Sequence, residues 1–342
     1  MVKHGFYPGG RKTLIHQIKA NLRLGIGHFH FFSQSLGLLG LLYSLDIRAQ
    51  NDSNFSLLDE PAFVQWEKVQ NSFKTTKVVN LQSLEMIDPG VFDFKMSHRF
   101  GAVNMGAVHA FGLDFATIRF GGEYGILPNL MVGLGRFNVQ SEKGVDGYFK
   151  WRIMHQTTDN KRPLTVLLLG AMDYKNTHYS NLVGERMYLS SKQRFSFVGQ
   201  FILGRKESEK FTWEIAPTIV HHLVNPNWFY DNKISNWQGG RNLPQTQFAL
   251  GMGFRNKLTK RTSFNMEYIP ILNGNGDFFS SFSLGFDFET GGHVFQMDFT
   301  NSIGLNESLF ISRTSDQWGA AGVRFGFNLH RVFTVLDPSR FQ

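Results

Sequence analysis

The chain has 342 residues, no cysteine and a formal net charge of +8. The lack of cysteine excludes a disulfide framework, a thiolate nucleophile and cysteine-ligated zinc or iron–sulfur centres. The charge does not mark a nucleic-acid binder: Lys3, Arg11, Lys12, Lys19, Arg23 and Arg48 against Asp46 put +5 of it in residues 1–49, and the remainder sets 29 basic against 26 acidic residues, which leaves no basic face to follow phosphates.

Residues 1–49 read as a cleaved export signal. A basic start without acids leads into the apolar stretch FFSQSLGLLGLLYSL, and a small-residue site follows, with cleavage expected after Ala49 or Gln50. The apolar core is shorter than the roughly 18–20 residues that a membrane helix needs, and the longest later run, Leu164 to Met172, is about half of that. A mature protein that crosses a membrane must therefore do so with strands. Residues 50–88 are set apart as a periplasmic or plug segment. Within it, Asp59 to Gln70 predicts a short helix with Pro61 in its first turn, and Phe73 to Asn80 predicts an extended stretch.

From Gly90 onward, large apolar residues recur at every second position in twelve segments: about 90–100, 116–125, 130–138, 146–155, 163–173, 194–205, 211–222, 248–257, 262–271, 280–288, 293–301 and 321–335. Their lengths suit tilted membrane-spanning strands of about 9–11 residues. The connections after the even-numbered segments are short, such as ILPN at 126–129 and ETGG at 289–292, whereas those after the odd-numbered ones are generally longer. Sorting of this kind is the pattern of an antiparallel up-and-down transmembrane β-barrel with short periplasmic turns and long extracellular loops. The barrel is assigned to residues 89–335 and a C-terminal tail to 336–342. Twelve strands could become ten or fourteen if a loop such as 302–320 pairs beyond the membrane.

Alternation also assigns the two faces. Phe92, Phe94, Met96 and Phe100 oppose Asp93, Lys95, Ser97 and Arg99, and the other segments repeat the arrangement. A face built almost wholly of bulky residues, among 35 phenylalanines, suits lipid better than the tapering interior of a soluble barrel. The opposite face is then predicted to line the lumen with Lys95, Arg99, Arg119, Lys150, Arg152, Arg255 and Arg324, against Asp93, Glu123, Glu214, Glu267, Asp287 and Asp298. A near-balanced set favours cross-lumen salt bridges over an ion-selective ring of one sign. Gly121, Gly133, Gly135, Gly251, Gly253 and Gly285 face inward by the same parity, and His98 and His155 fall on the lipid side.

The stretches FKTTKVVNLQSLE (73–85), FDFKMSHRFG (92–101), FGLDFATIRFGGEYGI (111–126), NLMVGLGR (129–136), LGFDFETGGHVFQMDFTNS (284–302) and WGAAGVRFGFNLHRVFTV (318–335) resemble a Bacteroidetes outer-membrane β-barrel family known only as a domain of unknown function. The resemblance implies an exported barrel and brings no substrate, reaction or catalytic residue. The chain departs from the family at Asn80-Leu-Gln-Ser83, where an Asn-Gly-His-Ser-like stretch is usual.

Catalytic motifs are missing from the sequence: it contains no G-x-S-x-G, P-loop or HExxH, and Ser97 and His98 adjoin but face opposite ways. The adjacent His221 and His222 likewise point to opposite faces, which disfavours one shared ion. Neither enzyme activity, a metal nor a cofactor is expected. The expected partners are outer-membrane lipid and, during insertion, the barrel-assembly machinery; the solute or protein partner is unassigned. Three roles stay open: a conduit or binding barrel for small polar solutes, a closed scaffold that grips a partner through its long loops, and an interfacial envelope hydrolase. The aromatic stretch Asn225 to Asp231, with Trp237 and Gly239-Gly240, is the candidate gripping loop.

Overall fold

A computed structural model describes residues 67–139, 142–176, 179–180, 186–187, 190–223, 245–274 and 278–341. The expected signal sequence, most of the expected 59–70 helix and the aromatic stretch after Asn225 lie outside these residues. Residues 67–70, the described end of that helix, are not helical.

Twelve strands close into one antiparallel barrel in which each pairs with its sequence neighbours and the last pairs with the first. They are β1 (Val91–Ala102), β2 (Ala116–Leu127), β3 (Leu130–Val139), β4 (Glu142–Met154), β5 (Thr165–Lys175) and β6 (Phe195–Lys206), followed by β7 (Phe211–His222), β8 (Thr246–Lys257), β9 (Thr262–Ile269), β10 (Ser281–Thr290), β11 (His293–Thr300) and β12 (Arg324–Thr334). Closure leaves no strand edge unpaired, which is the condition for β-structure in lipid, where no water can satisfy a free backbone amide. The 302–320 stretch adds no strand. It holds a short helix, α1 (Glu307–Ser312), all of whose residues are buried. No helix among the described residues is long and apolar enough to cross a membrane.

The alternation survives in the burial of the strands. On β10, Ser281, Ser283, Gly285 and Asp287 are buried, while Phe282, Leu284, Phe286 and Phe288 stand half-buried on the outer wall. The outward rings meet across strands: Phe264 and Phe286 lie 5.2 Å apart, and Phe295 and Phe327 lie 5.8 Å apart. The β10–β11 hairpin turns on Gly291 and Gly292, with φ of 48° and 93°, and Thr290 faces His293 across it. Two consecutive positive φ angles define the turn whose twist matches that of paired strands, and two glycines adopt it without steric cost.

Two expectations need correction here, and the inner face adds a feature that parity did not give. β4 begins at Glu142 rather than near 146, so the β3–β4 connection is short and breaks the sorting of loops by length. The charged pair Glu142-Lys143 and Gly144 obscure the alternation there, although the ladder continues through Asn138 opposite Lys143. His155 lies on the inner side, because the pairing of β4 with β5 shifts between Arg152 and Met154. Such an irregularity inserts one residue and reverses the parity beyond it. Finally, the inner face is not uniformly polar. On β5 to β9, Leu167, Leu169, Val198, Ile202, Ala216 and Ile269 point inward and are buried.

Candidate functional site: the filled lumen

What covers those inward aliphatic residues is the chain itself. From the short-turn end, residues 67–89 enter beside the β4–β5 turn, where Lys68 bridges Thr157 and the Val69 amide donates to the Gln156 carbonyl at 2.9 Å. They leave at the same end, where Pro89 runs beside Gly125 and the Gly90 amide donates to the Gly125 carbonyl at 2.9 Å. Between these points the chain folds back on itself. Lys77 bridges Gln82, the Val78 amide donates to the Leu81 carbonyl at 2.8 Å, and the Ser83 amide to the Thr76 carbonyl at 2.9 Å. The extended stretch expected over Phe73 to Asn80 is therefore replaced by a tight tip at residues 78–81. Phe73, Val78, Leu81 and Leu84 of this inner segment share one apolar cluster with Leu167, Leu169, Ile202, Ala216 and Ile269 of the wall.

Nothing in the composition of VVNL dictates a turn; it has neither glycine nor proline. The wall imposes the conformation by holding its polar backbone. Glu267, fully buried on β9, accepts the amides of Val79 at 3.1 Å and of Asn80 and Leu81 at 2.9 Å each, together with the Asn80 side-chain amide at 2.9 Å. Successive backbone N–H groups that converge on one carboxylate form a small anion-binding nest. Lys150 on β4 does the converse, donating to the carbonyls of Thr76, Ser83 and Glu85 at 3.1, 3.0 and 2.9 Å. Arg255 donates to the carbonyls of Asn71 and Ser72 at 2.8 and 2.9 Å, and Arg152 to that of Leu84 at 3.3 Å. Gln296 reaches the Val78 carbonyl at 2.7 Å, and Arg99 reaches the Asn80 side-chain oxygen at 3.1 Å. A buried peptide group must find a partner, and here the barrel wall supplies it.

All the sequence-assigned lumen residues except the half-buried Arg152 are buried in the barrel. They do not form a ring around open water. Lys95, Arg99, Glu123, Lys150, Arg152, Arg255 and Glu267 touch the inner segment; Lys95 and Glu123 do so together through Thr76, and they also pair with each other. Arg99 pairs with Asp298 at 3.1 Å, Asp93 with His330 at 3.3 Å, and Arg324 with Asp316. Asp287 forms no ion pair with an arginine among the described residues and accepts from Asn265 at 2.7 Å and Gln296 at 2.6 Å. Glu214 pairs with no Lys or Arg among the described residues and lies beside the Leu84 backbone and, at Gly253, beside Val78. The sequence reading missed Asp146, whose carboxylate takes the Arg119 guanidinium (Nε to Oδ2 2.9 Å), because Asp146 stood at the edge of its assigned strand. It also missed that His222 is enclosed, with Ser196 and Ser312 each at 2.9 Å, while His221 on the opposite face meets Thr246. His155 places Nε2 at 2.9 Å from the Val69 carbonyl, and burial, then Arg152, push its pKa down to about 4, so at neutral pH it is an uncharged donor that pins the entering chain.

The inward glycines make room for this filling. An ideal Cβ on Gly251 would lie 2.9 Å from Leu81, one on Gly285 2.9 Å from Val79, one on Gly253 3.0 Å from Val78, and one on Gly204 2.7 Å from Leu84. Hydrogen at these positions is what lets the side chains of the inner segment seat against the wall.

Residues 301–314, the first part of the connection from β11 to β12, fill the other end. Leu305 and Leu309 pack on Phe137 and Val139, and Phe310 and Ile311 join the apolar cluster of the inner segment. The two fillings meet at Glu307. Its carboxylate accepts from Gln82 at 2.8 Å, lies 3.6 Å from the Lys77 ammonium, and Lys77 in turn sits 5.9 Å from the Phe310 ring centre. Burial alone would raise the Glu307 pKa, but Lys77 and Arg119 overcome it and hold the carboxyl below its ordinary 4.5. A depressed acid stabilises the fold above its ordinary value and loses that contribution as pH falls through the folded value. Urea midpoints measured from pH 6 down to pH 3 are therefore expected to fall more steeply for the wild type than for Glu307→Gln below about pH 4.5. Parallel curves would show that this contact carries no proton-linked stability.

A closed twelve-strand membrane β-barrel with its own chain folded into the lumen is the class of protein that these features define. The chain belongs to the membrane bound beta barrel domain family (DUF5777), whose profile matches residues 73–333. That match includes the inner segment from Phe73 onward. Among solved structures, the chain is similar to the KdgM porin, with 6% identity and a TM-score of 0.43 over 71% of this chain and 99% of that one. It is similar to the NanC porin (8%, 0.41, 72% and 100%) and to an outer membrane channel from Pseudomonas putida F1 (11%, 0.41, 73% and 98%). No curated protein matches the chain.

Proposed function

We propose that the protein is an outer-membrane barrel closed at rest by its own N-terminal segment, and that it admits small polar solutes only when that segment withdraws. The observation that carries this reading is the Glu267 nest, which holds the tip at residues 78–81 inside the lumen through groups that do not belong to the segment itself. A gate needs such an arrangement: a separate piece of chain, seated by reversible polar contacts, with both arms reaching the same mouth. The short turns after β2, β6, β8 and β10 support placing that mouth toward the periplasm. The inward wall carries a near-balanced set of charges, which suits polar solutes rather than ions of one sign.

A Val79→Cys/Gly285→Cys variant tests the reading. The chain has no cysteine, and the ideal Cβ of Gly285 lies 2.9 Å from Val79 Cγ2, so the pair is within reach of a disulfide. In planar bilayers the oxidised variant is expected to stay at background conductance under every condition that opens the wild type, and reduction is expected to restore opening. Equal conductance in both redox states would overturn gating by this segment. The filling of the lumen from both ends supports a second reading, a permanently closed scaffold. That reading predicts background conductance even after residues 72–84 are released.

A further inference from the structure

At the short-turn mouth, a cavity of about 250 Å³ lies between the two arms of the inner segment and the wall built from β1, β12 and the β10–β11 hairpin. Among the described residues its acidic groups are Asp93, Glu85, which accepts the Ser72 and Phe73 amides, and Glu289; His293 and His330 also line it, and its one Lys or Arg, Lys74, is already engaged with Glu289 and with the Lys260 carbonyl at 3.1 Å. Asp93 is the informative group. It is 2% exposed, its Oδ2 faces His330 at 3.3 Å and Lys95 at 3.8 Å, and its Oδ1 has no hydrogen-bond partner among the described residues. A buried carboxylate oxygen left without a donor is costly, and a ligand that brings a charged N–H removes that cost. The lining also has an apolar part, Phe73, Met86, Ile87, Val294 and Val332, among polar residues such as Thr75, Thr76 and His293. Among the described residues no group of three acidic, histidine or cysteine side chains is placed to hold a metal ion. A cavity that sets an apolar patch beside convergent polar groups suits a small molecule with one apolar and one charged end.

We infer that this cavity binds a small organic cation, a primary ammonium on a short apolar body, with the ammonium on Asp93 and the body against Phe73, Val294 and Val332. The site needs only the position that residues 71–76 and 85–87 already hold, so it does not depend on the inner segment acting as a gate. Both arms and the wall contribute to it, so it binds the filled barrel alone.

Isothermal titration of the full chain in detergent micelles with n-butylammonium tests it, with n-butanol and butyrate as the neutral and anionic counterparts. Saturable binding of n-butylammonium is expected, at least tenfold tighter than either counterpart. Asp93→Asn is expected to weaken it at least tenfold, whereas Glu207→Gln, which removes an acid from the β6–β7 turn at the same mouth, leaves it within twofold. Val294→Trp, which fills the cavity without altering charge, is expected to abolish it, and this variant decides the matter if Asp93→Asn does not yield a heat-modifiable folded barrel. Unchanged affinity in the variants, equal binding of n-butanol, or the same heat from magnesium alone would overturn the site.

Discussion

Glu267→Ala is expected to raise conductance from background to discrete openings while the barrel stays folded. The carboxylate is fully buried and accepts four N–H donors from residues 79–81. Removing it leaves three backbone amides facing a void. Charge-assisted bonds of this kind contribute about 1.5–3 kcal/mol each, and water entering the void recovers part of the loss, so a net cost of roughly 3–5 kcal/mol is the right order. That cost falls on the seated segment rather than on the wall, because β9 keeps its ladders to β8 and β10 without any side-chain help. Protease cleavage within residues 72–84 should accelerate by more than a hundredfold if the segment visits solvent in proportion to its lost stability. Openings without accelerated cleavage would mean that the lumen conducts around a seated segment. Neither effect would mean that Lys150, Arg255 and the apolar contacts hold the segment without the nest.

Gly251→Val should lower the stability of the filled barrel by about 1–3 kcal/mol, and Leu81→Ala in the same chain should recover more than half of it. The ideal Cβ at Gly251 lies 2.9 Å from Leu81 Cδ1 and 3.2 Å from the Ala216 side chain, so any larger residue must move Leu81. Overpacking of a buried site has about this cost, and cutting Leu81 back to alanine vacates the volume that valine needs. Leu81→Ala by itself should destabilise by about 2–5 kcal/mol through the cavity it leaves. The double-mutant cycle is the measurement, and its sign is the test: a favourable coupling above about 1 kcal/mol places Leu81 against β8 in the folded protein, whereas additive effects would place the inner segment elsewhere. The same logic extends to Gly285 with Val79.

The barrel was legible along the chain because the signals for it are local. Phe282, Leu284, Phe286 and Phe288 against Ser283, Gly285 and Asp287 state a two-residue period within one strand, and Gly291-Gly292 states the turn that follows. The parity that puts the charges on one face was legible for the same reason. Their partners were not. Glu267 lies 187 residues from Asn80, and no pattern on β9 announces that its carboxylate will hold amides rather than an arginine. One neglected signal was present: LLLGAM on β5 is apolar at successive positions, and a strand apolar on both faces must be covered on both. That run implied something inside the barrel, because one face meets lipid and the other cannot be left against water. His155 shows the opposite limit, since its side is set by an irregularity of pairing between Arg152 and Met154 that parity counting along β4 cannot see.

Taken alone, the sequence pointed to a barrel of about twelve strands with a bulky outward face, and its lack of cysteine excluded thiol chemistry, because each of these depends on composition or on residues close together in the chain. Only the tertiary structure decided that the lumen is occupied, that residues 78–81 turn without a glycine or proline, and that α1 closes the other end against Lys77 and Gln82. Those features arise from buried backbone groups taking whatever partner the closed wall brings within reach, and which partner that is depends on closure of the whole ring.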